Sequence, residues 1–129
     1  MGKYGDAAVM ATQLVKSRQE SSPNQAWLVT MNNLFADSES SRKKSCPRDA
    51  YLGLCEAGKI LGIPMGHYTR SIKNKKYALK ALNLLREDPK LIYDGKGLWR
   101  KVVDYENKAH NHQMDVIISL LNEGLIKEM

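Results

Sequence analysis

Apolar residues return every three or four positions along almost the whole chain, and each such stretch ends at a hard stop: Ser-Pro, Gly or Asp-Pro. That spacing is the period of an amphipathic helix, not the alternation of a half-buried strand. Ala8, Ala11 and Val15, with Ala7, Met10 and Leu14 on a neighbouring line, predict a helix from about Gly5 to Ser17. Ser21-Ser22-Pro23 places a capping hydroxyl before a proline whose missing N–H costs nothing in the first turn. The helix it opens runs to Phe35, with Trp27, Met31, Leu34 and Phe35 on one face. Ser45-Cys46-Pro47 repeats the signal and predicts a helix from Pro47 to Ala57, with Tyr51, Leu54 and Cys55 inward and Gly58 as a left-handed stop. Gly53 sits inside that helix at a cost of about 1 kcal/mol relative to alanine, which the close approach of another helix would explain. Three more helices are expected. The first spans Ser71 to Glu87 and buries Ala78, Ala81, Leu82 and Leu85; the second runs from Leu98 to Asp104. The third runs from Asn111 to Glu123, with Gly124 as its stop.

No run of alternating β-branched residues appears, and helical patterns flank Asp94-Gly95, the one hairpin-like pair. The fold class expected is all-α, one compact bundle of five or six short helices forming a single domain over residues 1–129. Trp27 and Trp99 fall on apolar faces and belong in its core. Asp37 to Ser45 (DSESSRKKS) is the most polar stretch and the expected mobile loop, while Lys59 to Arg70 is a Gly- and Pro-rich connection. No apolar run approaches the roughly 20 residues of a membrane span. Met1 to Gln13 does not read as a signal peptide, and Asp6 stands where N-myristoylation wants Ser or Thr. Cys46 and Cys55, nine apart on one helix, would be separated by about 13.5 Å of rise, too far for a disulfide. Reduced thiols and a cytoplasmic location are the reading that follows.

The net charge of +6 is not spread evenly. Ser41 to Lys80 holds ten basic and two acidic residues, and the remainder of the chain is close to neutral. On the helix that begins at Ser71, Lys73, Lys76 and Lys80 follow at steps of three and four and so lie in one stripe. Cations gathered in this way repel one another, and a polyanion would relieve that repulsion while releasing counterions. Arg48, Arg70, Lys73, Lys76 and Lys80 are therefore the candidate phosphate contacts, with His67 and Tyr68 for local recognition. A solvated helix face with extended lysines is the plainer alternative.

Other motifs are weaker. Gly58, Gly62, Ile63 and Tyr68 occupy the slots of a helix-turn-helix signature, which would turn Met65, His67, Thr69 and Arg70 toward a major groove. Gly66 would then lie inside the recognition helix, and an ordered loop between two helices accounts for the same residues. His110 and His112 with Asp115, Cys46 and Cys55 match no zinc spacing, so no metal is assigned. No phosphate loop, dinucleotide fingerprint or serine elbow is present, so no cofactor and no catalytic residue is assigned. The one enzymatic alternative is a polar groove at Cys46, Arg48 and His110, with Cys46 activated at a helix start beside basic residues.

The segments Ser45-Cys46-Pro47-Arg48, Leu52-Gly53-Leu54-Cys55-Glu56, Gly62-Ile63-Pro64, Tyr68-Thr69-Arg70, Asn74-Lys75-Lys76-Tyr77-Ala78-Leu79, His110-Asn111 and Gln113-Met114-Asp115-Val116 carry a resemblance. Together with Gly2-Lys3-Tyr4-Gly5 they resemble, over nearly the whole chain, a small bacterial family catalogued as a domain of unknown function. The resemblance implies a bacterial or phage cytoplasmic protein and no particular activity. It also singles out polar residues that packing does not require: Arg48, Glu56, Tyr68, Thr69, Arg70, Asn74, Lys75, His110, Asn111, Gln113 and Asp115. These are expected to converge on one polar groove. The functions in view are a DNA- or RNA-binding protein, an adaptor or inhibitor that uses the same face on an acidic protein, and the small enzyme above.

Overall fold

A computed structural model of the chain describes residues 2–127. Its helices are α1 (Gly2–Lys16), α2 (Pro23–Leu34), the single turn α3 (Glu39–Arg42), α4 (Ser45–Glu56), α5 (Ile72–Glu87), α6 (Gly95–Val102) and α7 (Gln113–Asn122). A 3₁₀ turn, Pro89–Tyr93, links α5 to α6, and among the described residues there is no strand beyond one isolated bridge. The expected all-α bundle is thus the observed one, with six helices of eight residues or more among the described residues.

Local chemistry sets the boundaries. Ser22 Oγ accepts the amide of Gln25 at the start of α2, and Ser71 Oγ accepts that of Asn74 at the start of α5. Asp94 Oδ1 accepts the Gly97 N–H at 2.9 Å, so α6 opens at Gly95, three residues before the expected Leu98. Asp94-Gly95 is a helix cap with its first helical residue. The α4 helix begins at Ser45 rather than Pro47, with no side-chain cap. At α7 the expected start at Asn111 moves to Gln113, because His112 is left-handed (φ 67°) and His110 Nε2 accepts the Met114 amide at 3.0 Å.

The polar stretch from Asp37 to Ser45 is not the free loop its composition suggested. Ser38 caps α3, Arg42 Nη1 donates to the carbonyls of Phe35 and Ala36 at 2.8 Å each, and the Tyr4 hydroxyl donates to Ser41 O at 2.8 Å. Its polarity reports contact with water, while side-chain hydrogen bonds to the backbone hold its path.

The core is built where α4 packs on α5 and α7, and where α1 packs on α2 and α7. Ala7, Ala8 and Ala11 on α1, Ala50 on α4, and Ala78 and Ala81 on α5 are fully buried, so these helices approach closely. Trp27, Trp99, Met31, Tyr51, Leu54, Ile117 and Leu120 supply the bulk. Thr12 Oγ1 and the Tyr51 hydroxyl share a buried hydrogen bond of 2.9 Å. Both cysteines are free thiols, Cys55 buried and Cys46 partly so; burial pushes the Cys55 thiol far above the usual range. At Gly53, the only room for a Cβ would be 2.7 Å from the Lys75 Cα, so the residue is the contact point of α4 and α5.

Two matching helix ends close the fold. Gly58 (φ 73°) ends α4 and Gly124 (φ 69°) ends α7, and in each the next N–H reaches back to a carbonyl five residues earlier: Lys59 to Leu54, and Leu125 to Leu120. The chains leaving these ends meet as an antiparallel bridge between the buried Ile60 and Ile126. Leu61 N–H donates to Leu125 O at 2.9 Å and Lys127 N–H to Lys59 O at 2.8 Å.

The helix-turn-helix reading is corrected here. Residues 63–69 form no helix. Glu56 accepts the amides of Tyr68 and Thr69 at 2.9 and 3.3 Å, Tyr68 donates its hydroxyl to Pro64 O at 2.7 Å, and Asn24 Nδ2 donates to Tyr68 O at 2.8 Å. These bonds hold an extended segment, and Pro64 and Gly66 give a competing helix little to set against them.

Candidate functional site

The extended segment 63–70 lies across α4 and delivers the chain to α5, and at this junction the polar residues gather. Glu56, at the end of α4, pairs with Lys75 Nζ at 2.7 Å and accepts both loop amides. Its side chain is 14% exposed. The Lys75 ammonium first, then the Tyr68 amide, hold its carboxyl down at about 2. Asp49, two turns earlier on the same face of α4, accepts the Thr69 hydroxyl at 3.0 Å and the Arg48 guanidinium at 3.2 Å. Thr69 Oγ1 in turn accepts the Ser71 amide, and Ser71 Oγ accepts both the amide and the side-chain N–H of Asn74. Asn74 Oδ1 accepts from Gln113 Nε2 at 3.2 Å, and Gln113 Oε1 accepts the Asn111 amide at 2.7 Å.

These bonds make one hydrogen-bonded line from Arg48 to Asn111 through α4, the loop, α5 and the start of α7. Asp49, Asn74 and Gln113 within it are buried. It is a spine rather than an open groove, and it surfaces in separate hollows. On the Arg48 side lies a groove of about 440 Å³, lined by Trp27, Leu28, Arg42, Arg48, Asp49 and Arg70 among others. On the Gln113 side a cavity of about 270 Å³ is lined by Cys46, Lys73, Tyr77, Trp99, Lys108, Asn111 and Gln113. A third hollow, about 310 Å³, lies over Glu56, Ile72, Lys75 and Lys76. An apolar hollow of about 480 Å³ at the far end of α5, lined by Leu85, Arg86, Pro89, Lys90, Ile92, Tyr93 and Leu121, holds none of the residues flagged in the sequence.

The candidate residues divide among these places. Arg48, Tyr68 and Arg70 share the first groove, and Lys73, Asn111 and Gln113 share the second. Lys76 and Glu56 lie at the third, and His67 is exposed on the loop. Lys80 turns to Asp104, 2.7 Å away, and forms an exposed ion pair with it. Lys73 and Lys108 each stand 6.0 Å from the Tyr77 ring centre. Arg70, Lys73 and Lys76 are exposed and have no acidic partner among the described residues. His110 packs on Trp99 at 5.2 Å between ring centres, and His112 Nδ1 is 3.0 Å from Asp115 Oδ2. Loss of water around the ring is the main cause holding His110 below the usual histidine range, and the amide it accepts requires an unprotonated Nε2. Neither histidine lines the Cys46 cavity, and Cys46 and Arg48 open to different hollows, so the Cys46, Arg48 and His110 grouping does not form one site.

Sequence reasoning missed three participants. Asp49 was counted only as a charge within the basic block, and Lys108 lies outside that block. Trp27 was assigned to the core, which it joins at 2% exposure, yet its ring also lines the first groove.

No curated protein and no solved structure matches the chain. A family model does match, over residues 1–127 of the 129. With nearly the whole fold and every residue of the polar spine inside that span, the chain belongs to DUF6979, a family of unknown function.

Proposed function

We propose that this protein binds nucleic acid, with the entry and first two turns of α5 as the phosphate-contacting surface. The observation that carries the reading is that Arg70, Lys73 and Lys76 are exposed and have no acidic partner among the described residues, while Lys75 and Lys80 are each matched to a carboxylate. Charges already paired offer little to a phosphate, whereas unpaired cations on a helix stripe gain from its approach. The positive end of the α5 dipole adds to the attraction. Tyr77, flanked by Lys73 and Lys108, sets an aromatic ring beside the cations. The segment that presents Arg70 and Tyr68 is held rigid by Glu56 and Asn24, so little ordering is needed on binding.

The test is a titration of a labelled 20-nucleotide strand and its duplex at several salt concentrations. With three free cations, log Kd will rise with log salt at a slope of about 2 to 3. Lys73→Glu with Lys76→Glu will weaken binding by about tenfold or more at low salt, while Lys80→Gln, which removes a cation already paired, will change it by less than about twofold. Absence of binding at about 50 mM salt refutes the reading. Binding to an acidic protein with none to either nucleic acid would assign the same surface to a protein partner.

A further inference from the structure

We infer that the groove between α2, α4 and the 63–71 segment is a binding site for a small organic oxyanion, a carboxylate or phosphate monoester carried on an apolar body. The site shares Arg70 with the surface proposed along α5 but does not rest on that reading, since most of its lining comes from α2, α4 and the loop. Its volume, about 440 Å³, lies within the range of small-molecule sites. Three guanidinium groups, Arg42, Arg48 and Arg70, line it against a single carboxylate, Asp49, which already accepts Thr69 and Arg48. Arg70 has no partner among the described residues. Arg48 meets Asp49 side-on through Nε and Nη2, at 3.2 and 3.4 Å, which leaves Nη1 for a ligand.

The independent observation is Trp27. It is 2% exposed, it lines the groove, and its indole N–H is a buried donor without an acceptor. Buried donors in folded proteins nearly always have partners, because an unmet one loses its hydration without return. An oxyanion that enters as the groove wall over this atom gives way supplies the acceptor, and a guanidinium fork matches its geometry. Leu28, 54% exposed, with Met31 and Leu52 provides an apolar wall for the remainder of the ligand.

The experiment is proton–nitrogen NMR of the full ¹⁵N-labelled chain, which holds two indole signals, from Trp27 and Trp99. The Trp99 N–H already donates to Lys108 O at 2.9 Å and serves as the internal control. The probes are phenyl phosphate, benzoate, benzyl alcohol and inorganic phosphate. The Trp27 indole proton is expected to move downfield with phenyl phosphate or benzoate while that of Trp99 stays, and whichever of the two binds more tightly identifies the head group. Arg70→Gln, at an exposed position, will weaken the effect by about tenfold, and Arg70→Lys will restore part of it. The inference fails if no probe moves the Trp27 signal at about 10 mM, a concentration that reveals even feeble binding. It fails also if benzyl alcohol acts as well as the anions, or if inorganic phosphate acts as well as phenyl phosphate.

Discussion

Gly53→Val will remove about 3 kcal/mol or more of folding stability, read as a shift of the urea midpoint. A Cβ at this position lies 2.7 Å from the Lys75 Cα and 2.8 Å from its Cβ. Those atoms belong to the backbone of α5 and the root of its side chain, so no rotamer change makes room. The helices must separate along the most extensive contact in the fold and stretch the Glu56–Lys75 pair that sits one turn further along α4. Gly53→Ala meets the same obstacle with one carbon and regains about 1 kcal/mol of helix propensity, so it will lose less, about 1 to 2 kcal/mol. A stabilised Gly53→Ala variant would refute the close approach.

Glu56→Ala will cost about 2 to 4 kcal/mol, through a different route. It strands the amides of Tyr68 and Thr69 and the ammonium of Lys75, all of which the carboxylate now satisfies. The segment 63–70 will lose its tether to α4, with faster amide exchange there than in α1. Acid produces a milder version of the same loss. The Glu56 carboxyl is held at about 2, below the 4.5 of an unfolded chain. Its contribution is therefore complete above about pH 5 and declines as pH falls toward about 2. Between those values Glu56→Gln, already without the charge, will show a shallower loss of thermal stability than the native chain. Equal acid slopes in the two proteins would show that the carboxylate is not the anchor.

Helices and stops were legible because both are local. The three-four spacing of Ala78, Ala81, Leu82 and Leu85 marks a buried face whatever packs on it, and Ser22-Pro23 carries its own cap. Gly53 was legible as a contact point because a mid-helix glycine needs a reason. The course of residues 63–70 was not legible, since Glu56 and Asn24, which hold it, are 12 or more positions away from Tyr68. Lys73, Lys76 and Lys80 do share one helix, but their pairing was not legible: Asp104 pairs with Lys80 across 24 residues, and beside the stripe Glu56 pairs with Lys75 across 19. Of the polar residues flagged by resemblance, Arg48, Thr69, Asn74, Asn111 and Gln113 lie in the hydrogen-bonded line and Glu56, Tyr68 and Lys75 join it at Thr69, whereas Arg70, His110 and Asp115 stand outside it, and burial of Asn74 and Gln113 leaves separate openings rather than one groove.

The most direct test of the functional account is an amide NMR map of the ¹⁵N-labelled chain titrated with a 20-nucleotide strand at low salt. The account predicts that the largest shifts fall on residues 68–77 and fade as salt is raised, while Leu85 to Tyr93 at the far end of α5 stays unchanged. Shifts centred on that far end, or none at all, would contradict it.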